Sequence, residues 1–158
     1  MIKEFHVKLF TVFISVITPF VMISSGEILG SISQYWGTVY QPLFIISNIM
    51  CSYFFFSLKE WKIPSLCLIL LTGFNHYQFN TFHNIFAVCF YLACLHSLFK
   101  NKRFIIYRLL FISSILFYPY SIILGEIISI IILCSYHFRV ILFKEKLMGM
   151  KSSTLPRT

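Results

Sequence analysis

Apolar side chains occur in six runs along the chain, separated by short polar connections. A membrane-crossing helix needs about 20 apolar residues, and about 17 is the practical minimum. The third and fifth runs are short by that measure, and we expect each to extend into its neighbouring turn. The pattern predicts an all-α polytopic membrane protein with a bundle of six transmembrane helices. The predicted segments are Lys8–Ser25, Pro42–Leu58, Trp61–Asn75, Phe82–Phe99, Phe104–Tyr118 and Ile122–Phe143.

Basic residues are distributed unequally between the connections. All 13 Lys and Arg residues fall in four groups, which lie at the N-terminus, around the second connection, around the fourth connection, and at and beyond the end of the sixth segment. With six spans these groups share one side, and the opposite connections (residues 26–41, 75–81 and 118–125) carry none. The positive-inside rule makes the basic side cytoplasmic, so both termini are predicted there. We expect one transmembrane domain, residues 1–146, and a polar C-terminal tail, residues 147–158.

The composition narrows the class of protein further. The 158-residue chain is 58% hydrophobic and 11% charged, whereas soluble domains contain about a quarter charged residues. The net charge is +8, and the basic residues that produce it lie in short clusters between apolar runs. This placement indicates membrane topology and argues against a nucleic-acid partner. Five cysteines lie inside apolar runs without CxxC spacing, so no zinc knuckle or disulfide framework is expected. An uncleaved first helix is preferred to a signal peptide, and a plasma or inner cell membrane is the expected location.

Strongly polar residues collect on the predicted exterior side, where lipid should not tolerate them without a purpose. Because they lie at helix ends of similar depth, we expect them to form one ligand-binding pocket near the outer leaflet. No cofactor or metal is predicted, because these residues come from separate segments without a local ligand motif. The predicted pocket residues are Glu27, Gln34, Asn75, His76, His83, Asn84 and Glu126.

His83 and Glu126 are the two candidates for chemistry. The reference pKa of histidine, near 6.5, suits proton transfer, and a carboxylate beside His83 would raise its basicity. The structural alternative is that His83 satisfies backbone groups at a helix end. Glu126 would likewise gain about 0.3–1 kcal/mol from the macrodipole of the helix that it opens.

Three stretches resemble the Frag/DRAM/Sfk family of six-helix membrane proteins. SISQYWGTVYQPLF is similar to the family's "IS-D-x-G-T…P…F" segment. GFNHYQFNTFHNIFAVCFY is similar to "ANFQ…HD-x-GA…F", and GEIISIIIL resembles a "C-E-x" start. The matching positions are Ile32, Ser33, Gly37, Thr38, Phe44, Phe74, His83, Ala87 and Glu126.

The resemblance implies six helices and a role in lipid organisation. The chain departs from the pattern at Gln34 and Asn84, which stand at or beside acidic positions, and Asn75 stands for a Gln. Loss of those carboxylates weakens any inherited proton transfer. A non-catalytic or regulatory protein of lipid handling is therefore the leading hypothesis, with membrane lipids as partners. The alternatives are a membrane-embedded lipid hydrolase or acyl-transfer enzyme using His83, and an accessory subunit of a larger membrane complex.

Overall fold

The computed structural model describes residues 2–24, 26, 28–101 and 104–153, with side chains described between residues 4 and 143 of that part. The secondary structure of these residues is entirely helical, so the prediction of an all-α chain is confirmed. Short 3₁₀ helices accompany the α-helices at Ile32–Gly37, Lys59–Trp61 and Ser114–Phe117. The α-helices are α1 (Ile2–Ser24), α2 (Gln41–Phe56), α3 (Lys62–Gly73), α4 (Asn80–Lys100), α5 (Ile105–Ser113) and α6 (Ile122–Ser153).

Three helices of the described part are long and apolar enough to cross a membrane: α1, α4 and α6. α2 has 16 residues and α3 has 12. At 1.5 Å per residue they measure about 24 and 18 Å, less than the hydrocarbon thickness of about 30 Å. α5 has only nine residues and continues as the 3₁₀ helix. α6 runs on to Ser153, so residues 147–153 of the predicted tail are helical.

The six α-helices form a closed ring. Each helix packs against the next one in the chain, and α1 packs against α6 to complete the circle. Short connections between sequential helices produce this antiparallel neighbour arrangement. The ring leaves a central space, and every helix presents one face to it.

Small hydroxyl side chains hold neighbouring helices together. Ser65 is fully buried on α3, and its hydroxyl donates to the Ser52 carbonyl of α2 at 2.7 Å. The Ser114 and Ser129 hydroxyls lie 2.9 Å apart between the end of α5 and α6. On α4, the Ser97 hydroxyl donates to the Glu60 carbonyl at 2.6 Å. Small residues with interhelical hydrogen bonds are the typical packing device of membrane helices, which lack a hydrophobic driving force between them.

Large apolar side chains, by contrast, cover the outside of the ring. Phe10, Phe13, Tyr53, Val88 and Leu92 are each more than half exposed. A water-soluble protein rarely exposes apolar patches of this extent. Buried serines and an apolar exterior, together with three helices of membrane-spanning length, indicate a protein whose solvent is lipid.

Candidate functional site

A short segment between α1 and α2, residues 30–37, is fastened across one end of the ring; we call it the cap. The backbone N–H of Ile123, at the start of α6, donates to the Gly30 carbonyl at 3.1 Å. Within the cap, the Gly30 N–H donates to the Gln34 side-chain oxygen at 2.8 Å. The Tyr77 hydroxyl, from the α3–α4 connection, donates to the Gln34 carbonyl at 3.0 Å. The cap is thereby attached to two separate parts of the bundle.

Glu126 makes the third attachment of the cap. It lies in the first turns of α6, and its Oε2 accepts the backbone N–H of Ile32 at 2.6 Å. That N–H belongs to the first residue of the 3₁₀ helix and has no partner inside the helix, so the carboxylate satisfies it. The ion pairs among the described side chains are Glu4–Lys8 and Glu60–Lys100, and neither involves Glu126. Glu126 therefore both anchors the cap and leaves a carboxylate without a cationic partner inside the bundle.

His83 lies one helical turn inside α4 and is 4% exposed. Its Nδ1 is 2.7 Å from the Phe74 carbonyl oxygen at the end of α3. Since a carbonyl only accepts, Nδ1 carries the proton and Nε2 is the nitrogen that can accept one. The ring of His76 packs edge-on against His83 with 5.6 Å between ring centroids. The orienting partner of His83 is thus a backbone carbonyl, whereas the sequence suggested Glu126.

Asn48 is a functional candidate that the sequence reasoning missed. It lies half-buried on α2 facing the centre of the ring, and no hydrogen bond of its amide is found in the part of the chain that the structure describes. A polar side chain away from water costs free energy unless something pairs with it. The sequence shows Asn48 as one amide within an apolar run, whereas the predicted pocket drew only on residues of the exterior connections and the adjoining segment ends.

The central space of the ring is a cavity of about 180 Å³. It brings together His83, Glu126, Asn48 and Ser33 of the cap, with Tyr118 and Ser129 beside them. Deeper in the ring its walls are apolar, from Phe55, Leu68, Phe111 and Leu133. The cavity is therefore polar toward the cap and apolar toward the opposite end. Hydroxyl groups of α1 and α2 also contribute to the lining: Ser15, Thr18 and Ser47.

The remaining predicted pocket residues do not line this cavity. Asn84 is exposed on the outer face of α4, where its amide donates to Asn80 at 3.0 Å. Asn75 is buried, but its side-chain oxygen accepts the Gln78 N–H and so stabilises the α3–α4 turn. His76 supports the His83 ring and Gln34 stabilises the cap, so both act beside the cavity. Glu27 lies outside the described residues.

The hydrogen-bond acceptors that line the cavity suit a polar, positively charged group. Glu126 supplies a carboxylate, Asn48 an amide and Ser33 a hydroxyl, and each can accept a hydrogen bond from an ammonium ion. Among the described residues, no group of three or more His, Cys, Asp or Glu side chains is arranged to hold a metal ion. Sites for drug-sized ligands start at about 300 Å³, and the volume of this cavity is about 180 Å³. The cavity therefore admits only a small group, such as a lipid headgroup or a short apolar segment.

Comparison with known protein families, curated proteins and solved structures gives no match. The resemblance to the Frag/DRAM/Sfk family therefore stays a prediction.

Proposed function

We propose that this chain is a non-catalytic, six-span membrane protein of lipid handling that binds an amine-bearing lipid headgroup in its central cavity. The observation that carries the proposal is the Glu126 carboxylate, which has no cationic partner among the described side chains and shares a cavity with the Asn48 amide. The ammonium group of such a headgroup would supply the missing charge, and a cavity of about 180 Å³ would receive that end of the lipid alone. Burying a carboxylate without such a partner costs several kcal/mol, on the order of the effective penalty for a buried ion.

The six-span topology is part of the same proposal. Lys59 lies between α2 and α3, Lys62 is the first residue of α3, and Lys100 lies at the end of α4. If α2, α3 and α5 also cross, these residues share one side with Lys8 and Arg139, and the cap faces the exterior. The flanking 3₁₀ helices and turns lengthen each short helix toward the headgroup region. A protein can also accommodate short helices by locally thinning the bilayer.

The orientation places the cavity's polar end toward the outer leaflet of a plasma or inner membrane. A lipid amine would then enter beside the cap, near Glu126. This headgroup site would lie on the side opposite the cytoplasmic basic residues, which attract anionic lipid in general.

The direct test is native mass spectrometry of protein reconstituted with defined lipids, phosphatidylethanolamine against phosphatidylglycerol. We expect wild type to retain one phosphatidylethanolamine and Glu126→Gln to lose it. The glutamine keeps an oxygen that can accept the Ile32 N–H, so the cap stays attached and only the charge is removed. Asn48→Ala should weaken retention as well, because it removes the amide without adding side-chain volume to the cavity.

Asn84→Ala is the matched control, because Asn84 neighbours His83 in sequence but faces away from the cavity. Equal retention of phosphatidylethanolamine by wild type and Glu126→Gln would refute the headgroup proposal. Turnover of the lipid, lost in His83→Ala, would favour the hydrolase or acyl-transfer alternative. A stoichiometric protein partner without a specific lipid would favour the accessory-subunit alternative.

A further inference from the structure

A second recess lies on the outside of the ring, between α1 and α6. It is an open groove of about 960 Å³, with Tyr107 of α5 along one border. The volume lies within the range of about 300–1,000 Å³ that sites for drug-sized ligands occupy. Its walls are formed largely by apolar side chains, among them Phe10 and Phe13 of α1 and Ile131 of α6. The groove is separate from the polar end of the central cavity, which is lined by Glu126 and His83.

The polar residues of the groove are concentrated at one end. His6 of α1 and Arg139 of α6 lie there, at the end of the ring opposite the cap. The groove extends along α1 from His6 to Val16, ten residues, and along α6 from Arg139 to Ile131, eight residues. At 1.5 Å per residue these distances are about 15 and 12 Å. That depth equals about half of a 30 Å hydrocarbon core, which is the thickness of one leaflet.

Arg139 is available to bind an anion at this end. Its guanidinium is exposed and has no hydrogen bond or ion pair with the side chains and backbone that the structure describes. The acidic residue of α1, Glu4, pairs with Lys8. A guanidinium binds phosphate through two parallel hydrogen bonds, a geometry that lysine does not offer.

We propose that the groove between α1 and α6 binds one anionic phospholipid, with its phosphate on Arg139 and an acyl chain along Phe10, Phe13 and Ile131. The assignment to the cytoplasmic leaflet rests on the proposed orientation, whereas the headgroup chemistry and the groove do not. This lipid structurally supports the α1–α6 contact that closes the ring.

The test is a titration of reconstituted protein with phosphatidylglycerol in a phosphatidylcholine background, followed by native mass spectrometry. We expect one phosphatidylglycerol to be retained, and Arg139→Gln to bind it about five-fold more weakly, as expected for losing one basic residue at an anionic surface. Arg139→Lys should also bind more weakly than wild type, because lysine keeps the charge but loses the two-point contact. Ser135→Trp should exclude the lipid sterically, since Ser135 is exposed and lines the groove.

Lys62→Gln is the matched control, because Lys62 is an exposed basic residue of α3 that does not line the groove. It should leave phosphatidylglycerol binding unchanged, and Glu126→Gln should do the same, so this proposal and the central-cavity proposal fail independently. Equal weakening by Arg139→Gln and Lys62→Gln would overturn the site, because binding would then follow surface charge alone. Equal retention of phosphatidylcholine and phosphatidylglycerol would overturn the preference for an anionic lipid, because both lipids carry a phosphate and only phosphatidylcholine also carries a cation.

Discussion

At the scale of single residues, polar groups in this bundle have one of two environments. Most of them are paired: His83 with the Phe74 carbonyl, and Glu126 with the Ile32 N–H. His137 differs, because it is 2% exposed and its Nε2 has no hydrogen-bond partner within the described part. Aromatic rings surround it, with the Trp61 centroid at 4.3 Å and those of Phe54, Phe55 and Tyr136 at 5.0 to 5.1 Å. The imidazole packs as an aromatic ring while carrying an unsatisfied nitrogen.

Replacing His137 by Phe should therefore stabilise the protein. The change keeps an aromatic ring among the others and removes a buried polar atom whose unsatisfied state costs about 1–3 kcal/mol. We expect a net gain of about 1 kcal/mol, because the larger ring opposes part of the benefit by crowding. The thermal midpoint in detergent is the measurement, and His137→Ala, which leaves a cavity, should lower it. A lower midpoint for His137→Phe would show that Nε2 is paired when the protein is in lipid.

At the scale of elements, the serine contacts determine how closely helices approach. Ser65 is 0% exposed and its hydroxyl reaches the Ser52 carbonyl across the α2–α3 interface. Ser65→Ala should cost about 0.6 kcal/mol, the mean value of such interhelical hydrogen bonds. Ser65→Leu should cost about 1–3 kcal/mol, because the added volume forces the two helices apart. Chemical or thermal unfolding in detergent would measure both.

The control for that series is Cys89→Leu on α4, where the small side chain is exposed and lines neither the groove nor the cavity. It should leave the free energy of unfolding nearly unchanged. Comparable losses at Ser65 and Cys89 would mean that leucine is unfavourable at any small side chain of the bundle. The prediction about close helix packing would then be wrong.

The helices themselves could be predicted from the sequence because apolar runs and their polar interruptions have a simple pattern. The runs around Ile122 and Phe82 matched α6 and α4 to within a few residues at their N-terminal ends. Partners across the ring could not be predicted, because the contact between Glu126 and Ile32 joins residues 94 positions apart. The helix face on which each side chain lies could not be predicted either. Asn84 and His83 are neighbours in sequence, yet a helix turns about 100° per residue and places them on different faces.

At the scale of the whole molecule, the closed ring separates the two proposed lipid sites. The central cavity carries an acidic group near the cap, and the outer groove carries Arg139 near the opposite end. If the proposed orientation holds, a cationic headgroup would be recognised from the outer leaflet and an anionic headgroup from the cytoplasmic leaflet. The acidic site would then lie on the exterior side and the basic site on the cytoplasmic side, in agreement with the positive-inside distribution of Lys and Arg.

The orientation itself can be tested with single cysteines and a membrane-impermeant maleimide applied to intact cells. Val39 and Tyr120 are 86% and 87% exposed, in the connections α1–α2 and α5–α6, whereas Lys59 is exposed between α2 and α3. We expect Val39→Cys and Tyr120→Cys to react from outside, and Lys59→Cys to react only after permeabilisation. The wild-type chain is the background control, because its described cysteines lie within helices and a thiol shielded from water forms little reactive thiolate.

Each departure from this labelling pattern identifies a different error in the topology. Reaction of Lys59→Cys from outside, together with Val39→Cys, would mean that α2 does not cross and forms a re-entrant hairpin with α3. Reaction of Lys59→Cys alone from outside would mean that the whole bundle is inverted, which would move the acidic cavity to the cytoplasmic side. If Val39→Cys and Tyr120→Cys reacted from opposite sides, an odd number of helices would cross between them. The helices that fail to cross would then be among the short ones, α2, α3 and α5, because α4 is long enough to cross by itself.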